Sequence, residues 1–98
     1  MAKALILEFD GVGDEGYRAV NTALGIDVDD PGANWPAGIV SHMAGASPTG
    51  WVVVEVWDSE DSAAKFMESR LGAALKSADM PMPTRQAWIE LAADTRVG

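Results

Sequence analysis

Trp51-Val52-Val53-Val54-Glu55-Val56-Trp57, followed at once by Asp58-Ser59-Glu60-Asp61, decides the fold of this chain. A run of valine and tryptophan broken by a single carboxylate reads as a β-strand. The polar stretch after it stops the strand and starts a helix. Ser59 or Asp58 can cap that helix, and Glu60 and Asp61 lie where the macrodipole favours negative charge. Beyond them Ala63, Phe66, Met67, Leu71, Ala74, Leu75 and Ala78 recur at spacings of three and four. Such a stripe has to cover a sheet. Met80-Pro81-Met82-Pro83 ends the helix.

Working upstream, Ser47-Pro48-Thr49-Gly50 is a turn, and Ala37 to Ala46 has strand character. Two strands joined by so short a link form an antiparallel hairpin. Ala4 to Phe9 is a further strand, with Leu5, Leu7 and Phe9 on one face and Ala4, Ile6 and Glu8 on the other. After Asp10-Gly11, Asp14 is the expected N-cap of a helix carrying Tyr17, Val20 and Leu24 on one side, closed by Gly25. Gly25 to Pro36 is a long loop whose prolines, glycines and aspartates break any period, and loops of this kind often cover sites. Downstream, Thr84 to Ala92 is the last strand, with Ala87, Ile89 and Leu91 alternating against Gln86, Trp88 and Glu90. The order β-α-β-β-α-β predicts an α+β, ferredoxin-like fold: a four-stranded antiparallel sheet with both helices on one face.

Composition narrows the function classes. Ninety-eight residues read as one domain over 1–98. The net charge of −8 with no Lys or Arg cluster argues against nucleic acid and against anionic membrane surfaces as partners. No apolar run reaches spanning length, and the opening Met1-Ala2-Lys3-Ala4 carries no export signal, so a cytoplasmic location is expected. The absence of cysteine removes disulfides, thiolate metal sites and cysteine nucleophiles. No phosphate loop, zinc spacing or nucleophile elbow is present, and no cofactor or metal is expected. Asp27, Asp29 and Asp30 open like a calcium loop, but Pro31 and Gly38 fall where its later ligands would stand.

The third strand is apolar on both faces, with Val52, Val54 and Val56 on one and Trp51, Val53 and Trp57 on the other. With the helices covering one face, the expectation is that the tryptophan face, with Ile6 and Trp88 added, is the open one. Sheet-to-sheet homodimerisation would then cover it.

These features resemble a known family. The topology, the Trp35-Pro36-Ala37-Gly38-Ile39 entry to strand two, and Val54-Glu55-Val56-Trp57-Asp58-Ser59-Glu60 with Phe66 beyond it are similar to the dimeric α+β barrel superfamily. The branch they resemble within it is the antibiotic-biosynthesis monooxygenase-like (ABM-like) domains. The resemblance spans Ala4 to about Ala92 and implies a dimeric barrel with a ligand held between each sheet and its helices. It further implies activities among cofactor-independent oxidation of polyketide quinols, quinol oxidation and haem degradation. The chain departs from the family in two places. Helix two carries Phe66 where haem-degrading and many monooxygenase-like members have a histidine, and strand three has Val53 where the quinone-forming branch has polar groups.

Candidate site residues follow from both readings. His42, the sole histidine, lies mid-strand as a ligand-orienting base or haem ligand, or else as a hydrogen-bonded residue at the sheet edge. Glu55 shares a strand face with Trp57 and can move protons if that face is closed; alternatively it pairs with Arg18, Arg70 or Arg85, or with a partner chain. Trp57 matches the family's strand-three tryptophan. Tyr17, Trp35 in the loop, and Phe66 are the expected substrate-binding residues. The resulting expectation is a small-molecule-binding ABM-like protein, with cofactor-independent monooxygenation of an aromatic or polycyclic substrate as its catalytic form. The alternative is a non-catalytic ligand-binding or oligomerisation module of the same fold, and a third reading is haem binding through His42.

Overall fold

The computed structural model describes every residue except Met1, Pro31, Ala33, Arg96 and Gly98. Its elements are β1 (Lys3–Asp10), α1 (Asp14–Leu24), β2 (Ile39–Ser47), β3 (Gly50–Trp57), α2 (Glu60–Phe66), a π-helical turn (Met67–Leu71), α3 (Gly72–Ser77) and β4 (Arg85–Glu90). The sheet order is β2-β3-β1-β4, and every neighbouring pair is antiparallel. This is the ferredoxin-like βαββαβ arrangement the pattern predicts. The central pair is the most apolar, because β1 and β3 are flanked on both sides while β2 and β4 form the edges.

The helices lie against the face carrying Leu5, Leu7, Phe9, Val53 and Trp57, which pack with Val20, Ala63, Phe66, Ala74 and Leu75. Leu5 and Trp57 are fully buried. Burial of each such side chain contributes about 1.5–3 kcal/mol, so this layer dominates the stability.

The tryptophan face is therefore the covered one, and the expectation of open indoles is overturned. Leu5, Leu7 and Phe9 stand opposite Glu55, Val53 and Trp51, and Trp88 stands opposite Leu5 on the same side. The open face carries Ile6 and Val54 as cross-strand partners, with Met43 beside Val54, Ala4 beside Val56, and Ala87 and Ile89 on β4. Met43 and Ile89 are exposed there. The physical reason is that β3 is apolar at almost every position, so alternation separates its two faces without telling which is covered. The bulkier side chains fill the sheet–helix layer.

Local chemistry fixes the ends of the elements. Gly13, not Asp14, occupies the N-cap of α1 and makes no side-chain cap bond. Asp14 sits in the first turn, where its charge suits the dipole, and its carboxylate accepts from Arg18 Nε at 3.0 and 3.1 Å. Gly25 closes α1 with φ 77°. Ser59 caps α2, its Oγ accepting from Ser62 N–H at 3.2 Å. Gly50 is obligatory, because a Cβ there would stand 2.2 Å from the Phe9 carbonyl oxygen. Gly38, at φ 94°, passes so close to α2 that a Cβ would meet Ser62 at 2.5 Å, and its carbonyl accepts from Asp58 N–H at 2.8 Å. That contact anchors the end of the long loop beside the start of α2.

Strand boundaries differ from the sequence reading by one or two residues, most at β2, which starts at Ile39, and at β4, which spans Arg85–Glu90. The π turn was not anticipated. Its wider winding carries Arg70 toward the loop, where Nη2 donates to the Leu24 carbonyl at 2.9 Å and to that of Asn34 at 3.4 Å. Among the described residues, no helix is long and apolar enough to cross a membrane.

Candidate functional site

His42 on β2 and Glu55 on β3 are direct cross-strand partners, so their side chains leave the sheet together on the helix-covered face. A bulge between Ile39 and Ser41 sets that phase. Glu55 and Trp57 share the face because they lie two residues apart on one strand. Tyr17 reaches down to them from the middle of α1.

The four side chains form one hydrogen-bonded chain. Trp57 Nε1–H donates to Glu55 Oε1 at 3.2 Å, His42 Nδ1 and Glu55 Oε2 are 3.0 Å apart, and the Tyr17 hydroxyl and His42 Nε2 are 2.5 Å apart. The Glu55 and His42 side chains are only 9% and 12% exposed, so neither can rely on water for its partners. Each Glu55 oxygen is met by an N–H instead. A carboxylate accepts only, so the neutral imidazole carries its proton on Nδ1, and Nε2 is left as the acceptor of the Tyr17 O–H. Burial pushes the Tyr17 phenol up to about 12, and the negative charge of Glu55 adds to this, with smaller contributions from Asp14 and Asp29 set against Arg18. The phenol therefore stays protonated across the physiological range.

This chain of side chains borders an apolar cavity of about 50 Å³ between sheet and helices, with Tyr17, Trp35, His42, Trp51, Glu55 and Phe66 in its wall. Tyr17 stacks on His42 at 5.9 Å between ring centroids and lies 5.3 Å from Trp51, while Trp35 lies 5.0 Å from His42. Trp35 is held by donation from Nε1 to the Asp30 carbonyl at 2.9 Å. Outside, Trp35 and His42 also line a wider groove of about 360 Å³ at the β2 edge, with Val40 and Ser41. These two rings thus stand between the groove and the cavity.

Five of the six sequence-predicted site residues border the cavity: Tyr17, Trp35, His42, Glu55 and Phe66. Trp57 does not. It is fully buried behind Glu55 and packs on Phe66 at 5.8 Å. The alternative pairing of Glu55 with an arginine is overturned. Arg85 binds Glu8 and Asp10, Arg18 binds Asp14 and Asp29, and Arg70 holds backbone carbonyls while lying 5.6 Å over the Phe66 ring.

Sequence reasoning missed Asn21, which is buried in the cavity wall with Nδ2 donating to the Tyr17 carbonyl at 2.9 Å. Its place four residues after Tyr17 on one helix face was the available signal. In the loop, Asp27 and Asp30 accept from the backbone N–H groups of Asp29 and Gly32. These carboxylates close local turns. Pro31 lies outside the described residues.

No family model and no curated protein matches this chain. A solved structure does match, a dimeric ferredoxin-like protein of unknown function from Thermobifida fusca. It is 20% identical, the match covers 94% of this chain and 90% of that one, and the TM-score is 0.51. At this identity the likeness speaks to the fold alone, and that fold is ferredoxin-like.

Proposed function

We propose that this chain is an ABM-like small-molecule-binding protein of the dimeric α+β barrel type, whose cavity takes an aromatic or polycyclic compound and oxidises it with O₂ and no cofactor. The observation that carries the reading is the Tyr17–His42–Glu55–Trp57 relay at the wall of an aromatic-lined cavity. A buried carboxylate, an imidazole whose Nε2 accepts from the phenol, and that phenol in sequence make a proton-accepting line with one end in an apolar space.

In this proposal an acidic C–H of an anthrone-type substrate gives its proton to the Tyr17 oxygen as the phenol passes its own to His42 Nε2. Glu55 balances the imidazolium charge, and Trp57 fixes Glu55. Trp57 acts as a positioning residue, since it does not reach the cavity. The substrate carbanion reduces O₂, and the resulting peroxide anion takes the proton back from the relay and loses water, so a CH₂ becomes a carbonyl with one oxygen atom retained and the other released as water. The protein's own tasks are to exclude water, hold the ring between Trp35 and Trp51, and accept a proton. Entry runs from the outer groove past Trp35. A cavity of about 50 Å³ is far below the 300–1,000 Å³ of typical ligand sites, so Trp35 has to swing for a polycyclic substrate to enter.

The same small volume favours the second reading, a non-catalytic ligand-binding or oligomerisation module. Haem does not fit His42, because both ring nitrogens are engaged, one by Glu55 and one by Tyr17. A homodimer is part of the proposal. The open face joins Ile6, Met43, Val54 and Ile89 in a patch that a monomer would leave in water, and the Thermobifida fusca protein is described as dimeric. A cytoplasmic location is likewise proposed.

Oxygen uptake with an anthrone or a quinol tests the catalytic form. Consumption above buffer that is lost in His42→Ala is the expected result. No consumption by wild type, or equal consumption by the variant, overturns it and leaves the binding module.

A further inference from the structure

Among the described residues, one buried side-chain nitrogen or oxygen has no hydrogen-bond partner: Trp51 Nε1. Buried polar groups are nearly always paired, and an orphan at a cavity wall calls for a partner that is not protein. The other indoles near the site are accounted for, Trp57 by Glu55 and Trp35 by the Asp30 carbonyl. Trp51 lines the cavity and packs 5.3 Å from Tyr17. The relay offers the cavity the Tyr17 oxygen as an acceptor; Trp51 offers an unused donor.

We propose that Trp51 is a specificity-determining residue of this cavity, its indole N–H donating to a carbonyl oxygen of the bound aromatic ligand. The ligand class narrows accordingly to aryl ketones and quinone-type compounds, with hydrocarbons of the same shape disfavoured. An N–H buried against a hydrocarbon stays unpaired, whereas a carbonyl oxygen satisfies it; such a difference is worth about tenfold in affinity. The inference rests on the ligand-binding reading above and adds to it the group that the protein recognises.

Two probes separate the inference from that reading: α-tetralone, which carries an aryl ketone, and tetralin, the same carbon skeleton without it. Both are titrated into the full-length protein while proton–nitrogen correlation NMR follows the indole N–H groups, with Trp51 assigned by its loss in Trp51→Phe. The expected result is that both bind, that only α-tetralone moves the Trp51 resonance downfield, and that the ratio of ketone to hydrocarbon affinity falls about tenfold in Trp51→Phe. The resonance shift is read on wild type, so it holds even if the variant folds poorly. Binding of both probes with no Trp51 shift, or with the affinity ratio unchanged, overturns the inference and leaves the cavity reading intact. Binding of neither overturns both.

Discussion

Tyr17 is the sole tyrosine, so an alkaline titration of this protein reports one phenol. Its environment pushes it from 10.0 to about 12, chiefly through burial and then through the charge of Glu55. Between those two values the unfolded chain releases the phenolic proton while the folded chain keeps it. The folded state then holds more protons, and stability falls as pH rises. The contribution is fully present below pH 10 and is lost as pH rises through about 12. At face value the shift corresponds to ~2.7 kcal/mol. Because the side chain is only half-buried, solvent screening reduces this to about 1 kcal/mol. The assay is tyrosinate ultraviolet absorbance against pH, with far-ultraviolet circular dichroism on the same samples to establish that the fold persists. We expect a folded-state midpoint near 12, a denatured-state midpoint near 10, and in Glu55→Gln a midpoint moved back toward 10 because the second cause is removed. A folded wild-type midpoint near 10 would refute the placement of Tyr17 over His42 and Glu55.

Further consequences can be checked separately. Glu55→Ala leaves the His42 and Trp57 N–H groups without their acceptor in a buried site and should cost about 2–5 kcal/mol by urea denaturation. Gly50→Ala forces a Cβ against the Phe9 carbonyl and should lower the midpoint of thermal unfolding more than Gly45→Ala, where nothing stands within 4 Å. Val54→Asp places a charge in the middle of the open sheet face and should convert a dimer to monomer in sedimentation velocity while leaving far-ultraviolet circular dichroism unchanged. Arg70→Ala removes the donor to the Leu24 and Asn34 carbonyls and should cost about 1 kcal/mol, with faster amide exchange at the C-terminal end of α1.

The order of elements was legible because its signals are local. The valine run of β3, the Ser59 cap and the apolar stripe of the helix that follows each depend on a few adjacent residues, and so does the short link from Ser47 to Gly50. The shared face of Glu55 and Trp57 was legible from the period of two. Which face the helices cover was not, because β3 offers apolar groups on both and the answer depends on the pairing of Leu5 with Glu55. The contact between His42 and Glu55 was illegible for a similar reason. It depends on a bulge between Ile39 and Ser41 that sets the phase of β2, and no turn residue marks that bulge. The π turn left no trace in the stripe, since Met67 and Leu71 suit either winding. Arg70 was therefore weighed only as a partner for Glu55, when its work is to hold the carbonyls of the loop.

Native mass spectrometry of the full-length protein, incubated under argon with anthrone, tests the central claim most directly. The account predicts a homodimer carrying up to one bound molecule per subunit, with the bound fraction reduced in Trp35→Ala. A dimer that stays empty at saturating ligand would contradict the cavity's proposed role, and a monomer would contradict the barrel on which the proposal stands.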